Sequence, residues 1–180
     1  MSDFLRSPRR GQSFIGLLVM LLVLSLLTAF AATKFDLTRY RSDAMARHVT
    51  LVFVSASRAA RQQRHVVLVQ VDSTGKRLGT MHDLNGNGRH DPAEPVSWTA
   101  LDAATDILDP PLRLPEGDAS SNNSGSVAFR PVGGAANDFV LYLTSDPGTP
   151  TAWRAVEVSR RSGLVQLWRF DGRRWARGRT

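Results

Sequence analysis

Residues 11–33, GQSFIGLLVMLLVLSLLTAFAAT, run without a single charge. This run constrains the fold most, because roughly 20 apolar residues suffice to cross the hydrocarbon core of a bilayer as a helix. Arg6, Arg9 and Arg10 stand before it, and Lys34, Asp36, Arg39 and Arg41 stand after it. A basic lead ahead of one apolar helix predicts a single crossing over residues 12–33, with the N-terminus in the cytoplasm. The competing expectation is a cleaved secretory signal, whose apolar region is about 7–15 residues with small residues at the cut. Ala29, Ala31 and Ala32 offer such a cut, but the run is longer than that class requires.

The helical pattern continues past the apolar run, since no Pro or Gly occurs between Thr33 and Thr74. Leu37, Tyr40, Ala44, Met45, Val52, Ala56 and Ala59 recur at steps near three and four, which predicts one long helix over 12–62 whose second half packs on a globular head. The β-branched run at 65–71 reads as a first strand, and further strands are expected at 78–82, 96–100, 127–131, 139–144, 152–159 and 164–170. Three prolines at 109–115 and the polar stretch 118–126 read as connections. The expected fold is α+β: a long N-terminal helix, transmembrane in its first half, packed on a β-rich, antiparallel, sandwich-like head over 63–180.

Cysteine is absent, which excludes disulfides and thiolate metal sites. The net charge of +7 is unevenly placed. Residues 83–118 hold eight acids against two arginines, whereas residues 153–180 hold eight arginines against Glu157 and Asp171. No nucleophile elbow or phosphate loop is present, and His48, His65, His82 and His90 have no partner by spacing, so no enzyme is expected.

The junction Arg9-Arg10-Gly11-Gln12-Ser13-Phe14-Ile15 resembles the type IV prepilin signal, a short basic leader ending in Gly ahead of an apolar helix. The loop at 83–94, the segment Val127-Ala128-Phe129-Arg130-Pro131-Val132-Gly133 and the closing strand from Ala155 to Val165 extend the resemblance to the GspH/FimT family of minor pilins and pseudopilins. That resemblance implies cleavage of leader 1–11 between Gly11 and Gln12 by a prepilin peptidase, and N-methylation of Gln12. It implies an inner-membrane subunit with a periplasmic head, partnered by other pilins or pseudopilins of a type II secretion or type IV pilus machine. Two departures stand out. Gly16 occupies the fifth mature position, where the family usually has a glutamate, and Leu164 follows Gly163 where the family usually has arginine.

Two further stretches carry chemistry. Asp83, Asn85, Asn87, Gly88, Arg89, Asp91 and Glu94 match the calcium-loop template D-x-N-x-N-G-x-x-D-x-x-E. Alternate residues of a tight loop would point oxygens inward, with the carbonyl of Arg89 as a further ligand. The competing reading is a hairpin loop built on Asn-Gly turn chemistry. At the other end, Arg169, Arg173, Arg174, Arg177 and Arg179 interleave with Trp175, a pattern suited to gripping phosphates and stacking bases. Some minor pilins of the resembling family bind DNA through a C-terminal Gly-Arg-x-Arg motif, which Gly172-Arg173-Arg174-Trp175 matches in part. The alternatives to a filament subunit are therefore a DNA-capturing minor pilin and a membrane-anchored periplasmic calcium module or enzyme.

Overall fold

The computed structural model describes residues 12–34, 37–88, 91–92, 94–109, 114 and 125–178. The chain divides into two units, Met1–Leu37 and Thr38–Thr180.

The first unit contains helix α1, Gln12–Lys34. Its apolar side chains are exposed on every side, from Phe14 at 68% to Leu27 at 62%. At 1.5 Å per residue its 23 residues extend about 35 Å. Side chains are described only over residues 14–29, and among the described residues no helix is long and apolar enough to cross a membrane. The helical backbone itself continues to Lys34.

Helix α2, Leu37–Gln63, belongs to the second unit from Thr38 onward; Phe35 and Asp36 lie outside the described residues, so the expected single helix is described as two segments. The buried face of α2 is Ser42, Ala46, Val49, Phe53, Ala56, Ser57 and Ala60. This corrects the stripe read from the sequence. Leu37 and Tyr40 are 65% and 73% exposed, and Met45, Val52 and Ala59 flank the core rather than centre it. The buried stripe is mostly small, with one aromatic at its middle, which lets the helix backbone lie close to a sheet.

Among the described residues nine strands follow in two antiparallel sheets. The first runs β3-β2-β1-β5, with β1 Val66–Asp72, β2 Arg77–Asp83, β3 Val96–Ala100 and β5 Ser126–Phe129. The second runs β4-β6-β7-β8-β9, with β4 Asp106–Ile107, β6 Phe139–Thr144, β7 Arg154–Val158, β8 Val165–Phe170 and β9 Trp175–Arg177. The strands expected at 78–82, 96–100, 127–131, 139–144, 152–159 and 164–170 are present within a few residues; β4 and β9 were not expected. Inward residues of both sheets share one core with α2: Val67, Val69 and Phe129 from the first, Phe139, Leu141, Val156 and Leu167 from the second.

The second sheet is buried on both faces, and all six residues of β6 are inaccessible. Its outer face carries a second cluster of Val140, Tyr142, Ala155, Trp168, Phe170 and Trp175, against which Leu108, Leu114 and Trp153 pack. The Leu114 N–H donates to Tyr142 Oη at 3.1 Å, holding part of the proline-rich connection across that face. On the first sheet, Trp98 of β3 lies beside Gly79 of β2, where a Cβ would come within 2.8 Å of the indole ring. Arg77 stacks over the same ring at 4.2 Å.

Candidate functional site

The leader, Gly11 included, lies outside the described residues, and Gln12 is the first residue of α1. Gly16 sits inside that helix with open space around it.

The loop at 83–94 leaves the end of β2 and returns toward β3. Asp83, 1% exposed, anchors it: Asn87 N donates to Oδ1 at 3.1 Å and Gly88 N to Oδ2 at 2.7 Å. Gly86 and Gly88 adopt φ of 72° and 69°, the left-handed region that glycine enters at no steric cost. Asn85 Nδ2 and Asn87 Nδ2 both donate to Asp91 Oδ2, and Leu84 N donates to Glu94 Oε1 at 2.8 Å. Glu94 is 8% exposed, and its Oε2 is buried without a hydrogen-bond partner. Arg89, the expected carbonyl ligand, lies outside the described residues. Among the described residues no group of three or more His, Asp or Glu side chains is gathered to hold a metal ion. The side chains singled out for calcium thus lie together, and most of their acceptors are taken up by the loop's own N–H groups.

The basic C-terminal stretch is not a free tail. Trp175 starts β9 and is 6% exposed, packed on Phe170 at 5.1 Å and Tyr142 at 5.5 Å between ring centroids. Its faces are therefore committed to the core rather than offered to a base. Arg173 and Arg174 are exposed in the turn before it, where their backbone N–H groups both donate to Asp171 Oδ1 at 2.8 Å. Those two donors, Arg174 first, hold the Asp171 carboxyl below its usual range. Arg177 lies over the Trp168 ring at 5.3 Å. Arg179 lies outside the described residues.

Arg169 points elsewhere, into a cluster that sequence spacing did not reveal. Asp43, on the second turn of α2, accepts from Arg154 Nε at 2.6 Å through its Oδ1, and the same oxygen is 3.1 Å from Arg169 Nε. Arg154 is 3% exposed and also donates from Nη1 to the carbonyls of Thr151 and Trp153. Burial pushes its guanidinium below the usual arginine value; Asp43 opposes that shift, while Arg169 and Arg39 add to it. Arg39, one turn before Asp43, donates from Nε to Thr151 Oγ1 at 3.2 Å. The i, i+4 pair Arg39 and Asp43 was the available signal, but its partners stand 111 residues away. A histidine pair was also missed: His65 Nε2 and His82 Nδ1 are 2.8 Å apart, one ring donating and the other accepting.

By sequence the chain matches no family model and no curated protein. Among solved structures it is similar to the minor pseudopilin EpsH from the type 2 secretion system of Vibrio cholerae, with a TM-score of 0.50 and 15% identity over 71% of this chain and 95% of that one. At that identity the likeness is one of fold alone.

Proposed function

We propose that this chain is a minor pseudopilin-class subunit, a mechanical component rather than a catalyst. The observation that carries this reading is a conjunction: the Arg-Arg-Gly-Gln junction stands directly before a 23-residue helix, and the head beyond it shares the fold of a minor pseudopilin. On this reading a prepilin peptidase cuts between Gly11 and Gln12, Gln12 is methylated, and α1 stays on the mature protein. α1 crosses the inner membrane once, with the head in the periplasm, and later packs with equivalent helices of other pilins or pseudopilins in a filament core.

Gly16 bears on its place there. A glutamate at that depth is kept only where it meets a cation, because a carboxylate in hydrocarbon is costly. A subunit with Gly16 offers no carboxylate to a neighbour's N-terminal amine, which suits a position at the filament end. The fold neighbour favours a secretion pseudopilus over a retractable pilus. Co-expression of the full chain with a prepilin peptidase tests the proposal. The expected mature mass begins at Gln12, and Gly11→Val blocks the cut. A native N-terminus near Ala32 overturns it.

A second reading, a DNA-capturing minor pilin, draws on the exposed Arg173 and Arg174 beside Arg177. It requires Arg173→Ala with Arg177→Ala to weaken DNA binding and flatten its salt dependence; unchanged binding ends it.

A further inference from the structure

The start of α2 and the β7–β9 side of the second sheet form a cavity of about 470 Å³ whose charged lining is Arg39, Asp43, Arg154, Arg169, Asp171 and Arg177. Among the described residues that line it, four carry a guanidinium and two a carboxylate. Asp171 is already held by the backbone N–H groups of Arg173 and Arg174. Asp171 keeps its charge there, and Asp43 Oδ1 serves Arg154 and Arg169 together.

The donors are not saturated by that carboxylate. Arg169 Nε is buried and, despite its 3.1 Å approach to Asp43, makes no hydrogen bond. Arg154 Nη2 makes none to any described residue, in a side chain 3% exposed. Positive charge gathered in a concave site acts more strongly than the same charge on an open surface, and Arg154 at its floor is 3% exposed. Guanidinium donors are planar forks that match the several oxygens of a phosphate. A second carboxylate would present two oxygens to four arginines, whereas a phosphate presents three or four.

We propose that this cavity binds a phosphate group. Its place in the chain names the sources. Arg39 follows Lys34, the last residue of α1, by five positions, so the chain can separate the two by at most about 18 Å. Resting on the reading of α1 as a membrane helix, that span puts the cavity within reach of the headgroup layer. The bound phosphate then belongs to an anionic lipid of the outer leaflet; free inorganic phosphate is the other source with the same chemistry.

The test uses the full chain in neutral maltoside micelles, followed by thermal melting. The probes are inorganic phosphate and short-chain phosphatidylglycerol, the latter below its own micelle concentration. A saturable rise in Tm is expected, and Arg39→Gln with Arg177→Gln should raise the apparent Kd about tenfold or more. Both residues lie at the surface, so the fold is expected to persist. Arg161→Gln, exposed and outside this cavity, should leave the response unchanged. A response to the lipid at lower concentration than to phosphate assigns the headgroup; the reverse assigns free phosphate. No saturable rise with either probe overturns the proposal. So does a rise the double variant retains, or a single-stranded oligonucleotide that outcompetes both probes through Arg173 and Arg174. The mass of the mature N-terminus is read separately: loss of α1 ends the lipid source and leaves the inorganic phosphate response standing.

Discussion

Phe53 gives the sharpest test of how α2 is seated. Its side chain is fully buried. The ring meets Phe139 of the second sheet edge-on, at 5.8 Å and 84°, and Phe129 of the first sheet at 6.4 Å. It is thus the aromatic through which the helix touches both sheets, and nothing of similar size stands beside it on α2, where its buried neighbours are Val49, Ala46, Ala56 and Ala60. Truncating a buried Phe to Ala removes the transfer free energy and leaves a cavity, a loss of about 3–5 kcal/mol. A 60–100-residue domain loses about 4–8 °C per kcal/mol and a 150–250-residue one about 2–4 °C, so the second unit, between those sizes, should melt roughly 10–20 °C lower. Tyr40 and Leu51, at 73% and 63% exposure on the same helix, should each cost no more than about 0.5 kcal/mol when changed to Ala. The assay is thermal unfolding of the full chain in detergent, followed by near-ultraviolet circular dichroism and repeated in denaturant. If Tyr40→Ala costs as much as Phe53→Ala, the helix presents the face first read from the sequence and the core described here is wrong.

Removing Asp43 with Asp43→Ala strands Arg154 as a buried, uncompensated charge, for an expected loss of about 3–5 kcal/mol in denaturant titration, and adding Arg154→Met should recover a large part of it. Gly134→Ala should cost about 2 kcal/mol or more in the same titration, because Gly134 sits at φ +78° and a Cβ there would lie 2.7 Å from the Arg160 carbonyl oxygen. Asp83→Ala deprives two backbone N–H groups of their acceptor and should lower Tm equally in chelator and in calcium. Wild-type Tm should not respond to calcium; a saturable rise that Asp83→Ala abolishes would show instead that the loop closes on an ion.

Much of the head was legible because its strands carry the plainest signals. Residues 66–71 and 139–144 are dense in β-branched and aromatic side chains, and Asp146-Pro147-Gly148 and Ser162-Gly163 punctuate the later ones. The end of α2 near Gln63 was legible, but its rotation was not. Ser42 and Ser57 are buried in it, and a hydrophobic pattern search counts them as surface. Leu37 and Tyr40 carry a hydrophobic signal yet face outward. β9 escaped notice because three residues, Trp175–Arg177, cannot display an alternation, and their arginine-rich flanks suggest a solvated tail. Trp175 decides the matter through packing on Tyr142 and Phe170, contacts made across the sheet and therefore invisible to spacing along the chain. The 83–94 loop shows the converse limit. Its template was plain in the sequence, but which partner each oxygen takes is settled only by the folded backbone.

The same limit explains why the arginine cluster had to be found in three dimensions, and it says something about how α2 begins. The first turns of α2 are fixed to the second sheet mainly by polar bonds. Ser42 Oγ and Ser145 Oγ are 2.9 Å apart, Ser145 N donates to Ser42 Oγ at 3.0 Å, and Ser145 Oγ donates to the Thr38 carbonyl at 2.7 Å. Asp43 adds its pair with Arg154. An apolar contact here would be half wet, because Arg39, Tyr40 and Arg41 around it are exposed. Directional bonds hold position at such a boundary where hydrophobic burial, which is non-directional, would not. The start of α2 is thus tied directly to the end of β6 through Ser145 and to β7 through Arg154.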